Sequence, residues 1–313
     1  MVSWFGYSLS EAGSCDGLVF KDGQFHFLAQ VGAYGSRTLF SASDPTDKYN
    51  WTSVSFFTGA WGHDRYIKKF VVCNNIFFAL GSKQNGEQQS LFIAHAASPG
   101  AATVYNPGGT EPYTARDIIY DGSGYVIVTS PYNSTGTRLY YSLDLLTYAR
   151  LHEVGGTNYN YLCSAYFDGK AVVYTQNSYS GSAVVGLTCS YSATPSIGSS
   201  WINQIVNNSM ETAAMTRSII ADGVLWIFKT TANALVGYKV TAIPQTSYSS
   251  TNLALLLSKN YSIGYFYYDD LIILFGDYDA STATTPSLVC GNFLPTISLD
   301  VVYTYTRVKE GMS

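Results

Sequence analysis

Three cations recur at one place in the sequence. Lys69, Arg116 and Arg217 each stand five residues ahead of a turn residue, Asn74, Asp121 and Asp222 respectively. If the fold brings those places together, the cations ring a single spot, and Arg65, in the loop before Lys69, adds a fourth. A guanidinium presents a planar fork that can meet a carboxylate at two atoms, so such a ring suits a bound anion. The same residues also fit a plainer arrangement, in which Arg and Glu of one loop neutralise each other and pin the loops. The four histidines, His26, His63, His95 and His152, fall in separate stretches without metal-binding spacing, so neither metal nor cofactor is expected. Only His63, beside Asp64 and Arg65, stands among other candidate groups. No GxSxG, P-loop or strand-to-helix GxGxxG occurs, and no catalytic residue is assigned.

The elements that must position these groups are short strands. The stretch from Asp117 to Val154 divides into DIIYDG, GYVIVTS, TRLYYSL and TYARLHEV, a four-stranded antiparallel meander. Its first hairpin turns on Asp-Gly, whose Gly accepts positive φ at little cost. Similar hairpins recur along the chain, anchored on Asp22, Asn74, Asp121, Asp168, Asp222 and Asp269, at separations of 52, 47, 47, 54 and 47 residues. A period of about 50 residues with this content is that of propeller blades rather than helical solenoids. The spacing predicts an all-β fold, one six-bladed β-propeller of four-stranded antiparallel blades over residues 1–313. The blades fall at about 15–60, 66–106, 117–154, 161–207, 216–257 and 262–308, the last ending on ISLDVVYTYTRV. Residues 1–14 are expected to close the ring by joining the last blade. The turn aspartates would line up as a carboxylate ring, but Asp-Gly is expected in a β-turn for local reasons alone.

Composition agrees and removes options. The 313 residues include 27 Tyr and are 12% charged, which suits sheets stacked face to face, with Tyr covering apolar surface and keeping its hydroxyl wet. A net charge of −4 offers no electrostatic grip on nucleic acid. No apolar run approaches the roughly 18 residues needed to insert in a membrane as a helix. The opening MVSWFGYSLSEAG has neither a basic start nor a long apolar core, so no signal peptide is expected. Cys15, Cys73, Cys163, Cys189 and Cys290 lie singly in or beside strands and read as small buried hydrophobes. The sequons at Asn50, Asn133, Asn207 and Asn260 matter only in a secretory pathway.

The turn between third and fourth strands resembles the Asp-box of sialidase-like (BNR-repeat) propellers, S-x-D-x-G-x-T-W. Ser142, Asp144, Thr147 and Tyr148 match it one residue short and without the Gly. SASDPTDKYNW keeps Ser43, Asp44 and Trp51, and SYSATPSIGSSW keeps Ser192 and Trp201. In that family the box is structural, its Asp capping turn amides. The resemblance further implies a mouth where loops from all blades converge and where arginines hold a substrate carboxylate. Arg116 and Arg217 would take that part here, with Glu111, Glu211 or Asp64 as carboxylate partners and Tyr159, Tyr161 or Tyr261 as stacking platforms. The pattern departs from the family's, because Lys69 holds the third cation place and no family arginine motif is intact. Two function classes follow. One is a non-enzymatic structural or binding propeller that docks proteins or cell-surface glycans. A Tyr-, Ser-, Thr-, Asn- and Gly-rich β chain poor in Lys and Glu resembles a bacteriophage tail or capsid-appendage protein, which would assemble in many copies on a virion. The other is a sialidase-like glycoside hydrolase, which needs two carboxylates converging on one sugar.

Overall fold

The chain turns where its Asp, Asn and Gly residues accept left-handed backbone. In the computed structural model, the described residues are 5–8, 15–31, 36–44, 50–56, 65–85, 88–100, 102–105, 113–131, 136–154, 159–178, 185–206, 215–221, 223–230, 234–245, 248–255, 264–268, 271–277 and 286–292. Three hairpins turn on two residues with positive φ: Asp22 (52°) and Gly23 (76°), Asn74 (49°) and Asn75 (57°), and Asp168 (53°) and Gly169 (68°). Paired left-handed residues give a turn whose twist matches that of the strands it joins. The expected turn residues Asp222 and Asp269 lie outside the described residues, while Gly223 next to the former has φ 70°.

Among the described residues the strands form six four-stranded antiparallel sheets. After β1 (Phe5–Ser8), sheet 1 runs β2 (Cys15–Lys21), β3 (Gln24–Val31), β4 (Ser36–Ala42) and β5 (Thr52–Ser55). Sheet 2 is β6 (Arg65–Cys73), β7 (Ile76–Asn85), β8 (Gln88–Ala96) and β9 (Thr103–Tyr105). Sheet 3 is β10 (Tyr113–Tyr120), β11 (Tyr125–Pro131), β12 (Thr137–Ser142) and β13 (Ala149–Val154). Sheet 4 is β14 (Tyr159–Phe167), β15 (Lys170–Ser178), β16 (Val185–Ser192) and β17 (Ile202–Val206). Sheet 5 is β18 (Met215–Ala221), β19 (Val224–Thr230), β20 (Ala234–Val240) and β21 (Ser249–Leu255). Sheet 6 is β22 (Gly264–Tyr268), β23 (Leu271–Asp277) and β24 (Pro286–Asn292), completed by β1.

That last pairing joins the N-terminal strand to the sixth sheet. Phe5 through Ser8 lie antiparallel to Cys290 through Ser287, so β1 fills the free edge of β24. The stretch 297–308, expected as the fourth strand there, lies outside the described residues.

First strands of successive sheets lie side by side, β2 with β6, β6 with β10, β10 with β14, β14 with β18 and β18 with β22, and β22 also meets β2. The core therefore sits between sheets. Strand alternation sends neighbouring side chains into different seams. Phe77 packs with Leu28, Leu39 and Phe70 between sheets 1 and 2, whereas Phe78 packs with Ile118, Tyr125 and Ile127 between sheets 2 and 3. Burying each ring is worth about 2–3 kcal/mol.

The Asp-box-like turn of sheet 3 has the capping geometry that its residues imply. Asp144 Oδ1 accepts the N–H groups of Leu146 at 2.8 Å and Thr147 at 2.9 Å, and Ser142 Oγ accepts that of Leu145 at 2.9 Å. The donors at Thr147 and Leu146 hold the Asp144 carboxyl below the usual carboxylate range. Leu145 stands near the missing glycine with φ 61° and drops its side chain into the seam between sheets 2 and 3. In sheet 4, Ser192 Oγ accepts the Thr194 N–H at 3.0 Å, and buried Trp201 donates to the Pro195 carbonyl at 3.2 Å.

Candidate functional site

The candidate cations lie on first strands, and a recurring β-bulge sets their register. Pairing skips one residue between Ile67 and Lys69 in β6, Ala115 and Asp117 in β10, Tyr161 and Cys163 in β14, and Met215 and Arg217 in β18. A bulge bends its strand and re-aims the side chains around it. The residue just past each bulge is thus Lys69, Asp117, Cys163 or Arg217. Aligning on the turn had matched Lys69 with Arg116 instead. The difference comes from the sheet 3 hairpin. There Asp121 is not a left-handed turn residue; its own N–H donates to the Gly124 carbonyl at 3.0 Å, and its Oδ1 accepts the N–H groups of Ser123 at 2.8 Å and Gly124 at 2.7 Å. Gly122 takes the positive φ, at 95°. Asp121 therefore corresponds to Cys73 and Phe167, which close their hairpins, and the alignment of sheet 3 moves by one residue.

That shift puts an acid where a cation was expected. Asp117 is buried, and its carboxylate gathers donors from three sheets. Lys69 Nζ of sheet 2 lies 2.5 Å from Oδ2, with side-chain exposures of 17% and 3% for Lys69 and Asp117. From sheet 4, Ser164 Oγ donates to Oδ2 at 2.7 Å, and the Tyr161 hydroxyl donates to the same oxygen. Oδ1 accepts the N–H of Ile118 at 2.9 Å. The chain of contacts continues into sheet 5, where Ser218 Oγ donates to the Ser164 carbonyl at 2.8 Å. Burial, followed by the Asp117 charge, pushes the Tyr161 phenol well above its ordinary range. Burial foremost raises the neighbouring Cys163 thiol to about 12. A carboxylate so engaged ties sheets 2, 3 and 4 together. Its signal in the sequence is a single acid opening the apolar run DIIY.

Arg116 is the bulged residue itself. It is half-buried, its Nε donates to Ser130 Oγ at 2.5 Å, and burial lowers its proton affinity. Tyr161 is drawn to Asp117 as a hydrogen-bond donor rather than left as an open stacking platform. For Arg65, Arg217 and Tyr159 the structure describes backbone pairing only, with Lys83, Phe228 and Asn177. His63, Asp64, Glu111, Glu211 and Tyr261 lie outside the described residues. Sequence reasoning passed over Arg138, whose guanidinium lies 4.5 Å from the Tyr113 ring centroid and whose Nε is 3.4 Å from Glu153. Among the described residues no group of three or more His, Cys, Asp or Glu is placed to hold a metal ion.

Solved structures share this architecture. Phage phi92 endosialidase superposes with a TM-score of 0.58 at 11% identity, over 98% of this chain and 71% of its own. A mutant Trypanosoma rangeli sialidase displaying trans-sialidase activity gives 0.58 at 9% identity, over 91% of this chain and 58% of its own. The polysaccharide lyase Uly1 gives 0.52 at 10% identity, over 92% of both chains. At such identities the likeness is one of fold, all-β and propeller-like. No protein-family model matches the chain, and no curated protein matches it in sequence.

Proposed function

We propose that this protein is a six-bladed propeller that binds rather than cleaves. In this reading it is a multi-copy virion component, such as a phage tail or capsid appendage, which docks protein partners or host surface glycans through its loop face. One observation carries the non-enzymatic part. Lys69 and Tyr161, two of the groups proposed for a ligand, converge on Asp117 inside the fold, where they hold sheets 2, 3 and 4 together. In this reading the Asp117 carboxylate, buried and held by four donors, serves the fold rather than a ligand. The fold shared with a phage endosialidase and a polysaccharide lyase favours carbohydrate as the docked surface. That same likeness favours, as a second reading, a sialidase-like hydrolase using loop carboxylates such as Glu111 and Glu211.

A glycan array probed with purified protein, with released sugar measured from the same wells, separates these readings. Retention without release, abolished in Arg116→Ala and Arg217→Ala, is the expected result. Released sugar would overturn the non-enzymatic reading. An array without retention or release would remove glycans as partners and leave protein docking, to be sought by co-purification with assembled particles.

A further inference from the structure

Three of the four histidines are described, and His26 has the most fully defined surroundings. It lies buried on β3, in the seam between sheets 1 and 2. Its Nε2 is 3.1 Å from the Lys21 carbonyl oxygen, which can only accept, so Nε2 carries the proton. Nδ1 then accepts the Ser41 hydroxyl of β4 at 2.7 Å. Both ring nitrogens are satisfied in one neutral tautomer. The ring meets Phe77 of β7 edge to face, at 4.9 Å and 77°. Lys21 Nζ lies 5.1 Å from the centroid of that same Phe77 ring, so the seam already holds one buried cation. Lys21 pairs with Asp22, and the two side chains are 3% and 66% exposed. The groups facing His26 are thus Lys21 and Asp22 from β2 and its turn, Ser41 from β4, and the uncharged Phe77 from β7.

We propose that the seam between sheets 1 and 2 is an acid-sensitive joint, closed while His26 is neutral and loosened when its ring takes up a second proton. That proton would go to Nδ1, turning an acceptor into a donor against a hydroxyl that now donates to it. It would also place a second positive charge on the Phe77 contact, beside Lys21. Among the described residues the facing anion is Asp22, which is engaged with Lys21 and lies mostly in water, where it compensates little.

The direction follows from linkage. Burial, the largest influence, lowers the proton affinity of folded His26 below the ordinary value of 6.5. The unfolded chain therefore binds more protons below that pH. The stabilisation is complete above about pH 6.5 and is lost as pH falls from there toward the folded value.

The test is urea unfolding of wild type and His26→Gln between pH 8 and pH 5, with hydrogen exchange followed in peptides covering β3 and β7. Gln can donate to the Lys21 carbonyl and accept from Ser41 without titrating. Below pH 6.5 the wild-type unfolding constant should rise by up to about tenfold per pH unit more than that of the variant, the effect of one proton. Exchange in β3 and β7 should quicken before exchange in β11 and β15. Half-buried His95 contributes its own acid sensitivity equally to both proteins and cancels in the difference. Parallel pH slopes would overturn the proposal. If the variant does not fold, imidazole NMR of the wild type decides. A ring that stays neutral until the fold itself changes supports the joint, and one that titrates near pH 6.5 in an unaltered fold refutes it.

Discussion

Neutralising Asp117 is the sharpest test of how the first strands are held. Asp117→Asn keeps the shape but removes the charge that Lys69 faces at 2.5 Å, and it places an amide beside the hydroxyl donors of Tyr161 and Ser164. Breaking a buried ion pair from one side costs about 3–5 kcal/mol, because the remaining charge is left without compensation. Lys69 keeps 17% side-chain exposure, and water can relieve part of that penalty, which puts the expectation at the lower end, about 3 kcal/mol. For a chain of 313 residues that corresponds to a fall in Tm of roughly 5 °C. Lys69→Met should cost less, about 1–2 kcal/mol, since Asp117 would keep Tyr161, Ser164 and the Ile118 N–H as donors. The double variant should recover at least about 1 kcal/mol of the summed cost, because neither charge is then stranded. Urea unfolding followed by tryptophan fluorescence measures all three. An Asp117→Asn protein within about 0.5 kcal/mol of wild type, or a strictly additive cycle, would refute the hub. Glycan retention should survive Lys69→Met; its loss with stability intact would mean that Lys69 serves a ligand instead.

Two further predictions probe other seams. A Cβ on Gly198 would come within 2.4 Å of the Leu151 carbonyl oxygen, where a turn of sheet 4 packs on β13, so Gly198→Ala should destabilise by about 1–3 kcal/mol in the same unfolding assay. Tolerance of Ala there would show that the two sheets are not in close contact. Burial raises the thiols of both Cys163 and Cys189 to about 12, so at pH 8 only about one molecule in ten thousand carries either thiolate. Site-resolved mass spectrometry should find both residues unalkylated in the folded protein and modified once it unfolds. Labelling in the folded state at the rate of a free cysteine would contradict the buried assignment.

Local chemistry made the hairpins legible. Asp22-Gly23 and Asp168-Gly169 turn as their dipeptides suggest, and alternation marks Phe77 and Phe78 for opposite seams. Both signals depend only on neighbours a few residues away, so reading along the chain captures the four-stranded antiparallel sheets. The same reasoning misplaced sheet 3 by one residue. Asp121-Gly122 looks like the other turns, yet Asp121 leaves the turn and accepts N–H groups with its side chain, and the Tyr141 hydroxyl donates to it at 3.0 Å from two strands away. A one-residue slip exchanges the residue at a strand position for its neighbour. Here it exchanged Arg116 for Asp117, and with it the expected ring of cations for a buried ion pair.

What the sequence determined alone was therefore the unit, a meander with its turns and its apolar stripe, repeated at about 50 residues. Only the tertiary structure decided what the charged groups do. Lys69, Asp117 and Ser164 stand 48 and 47 residues apart in the chain and meet because successive first strands lie side by side. No local rule encodes that meeting. A buried charge takes whatever partner packing brings to it, because leaving it unpaired costs more than any turn or strand preference can return.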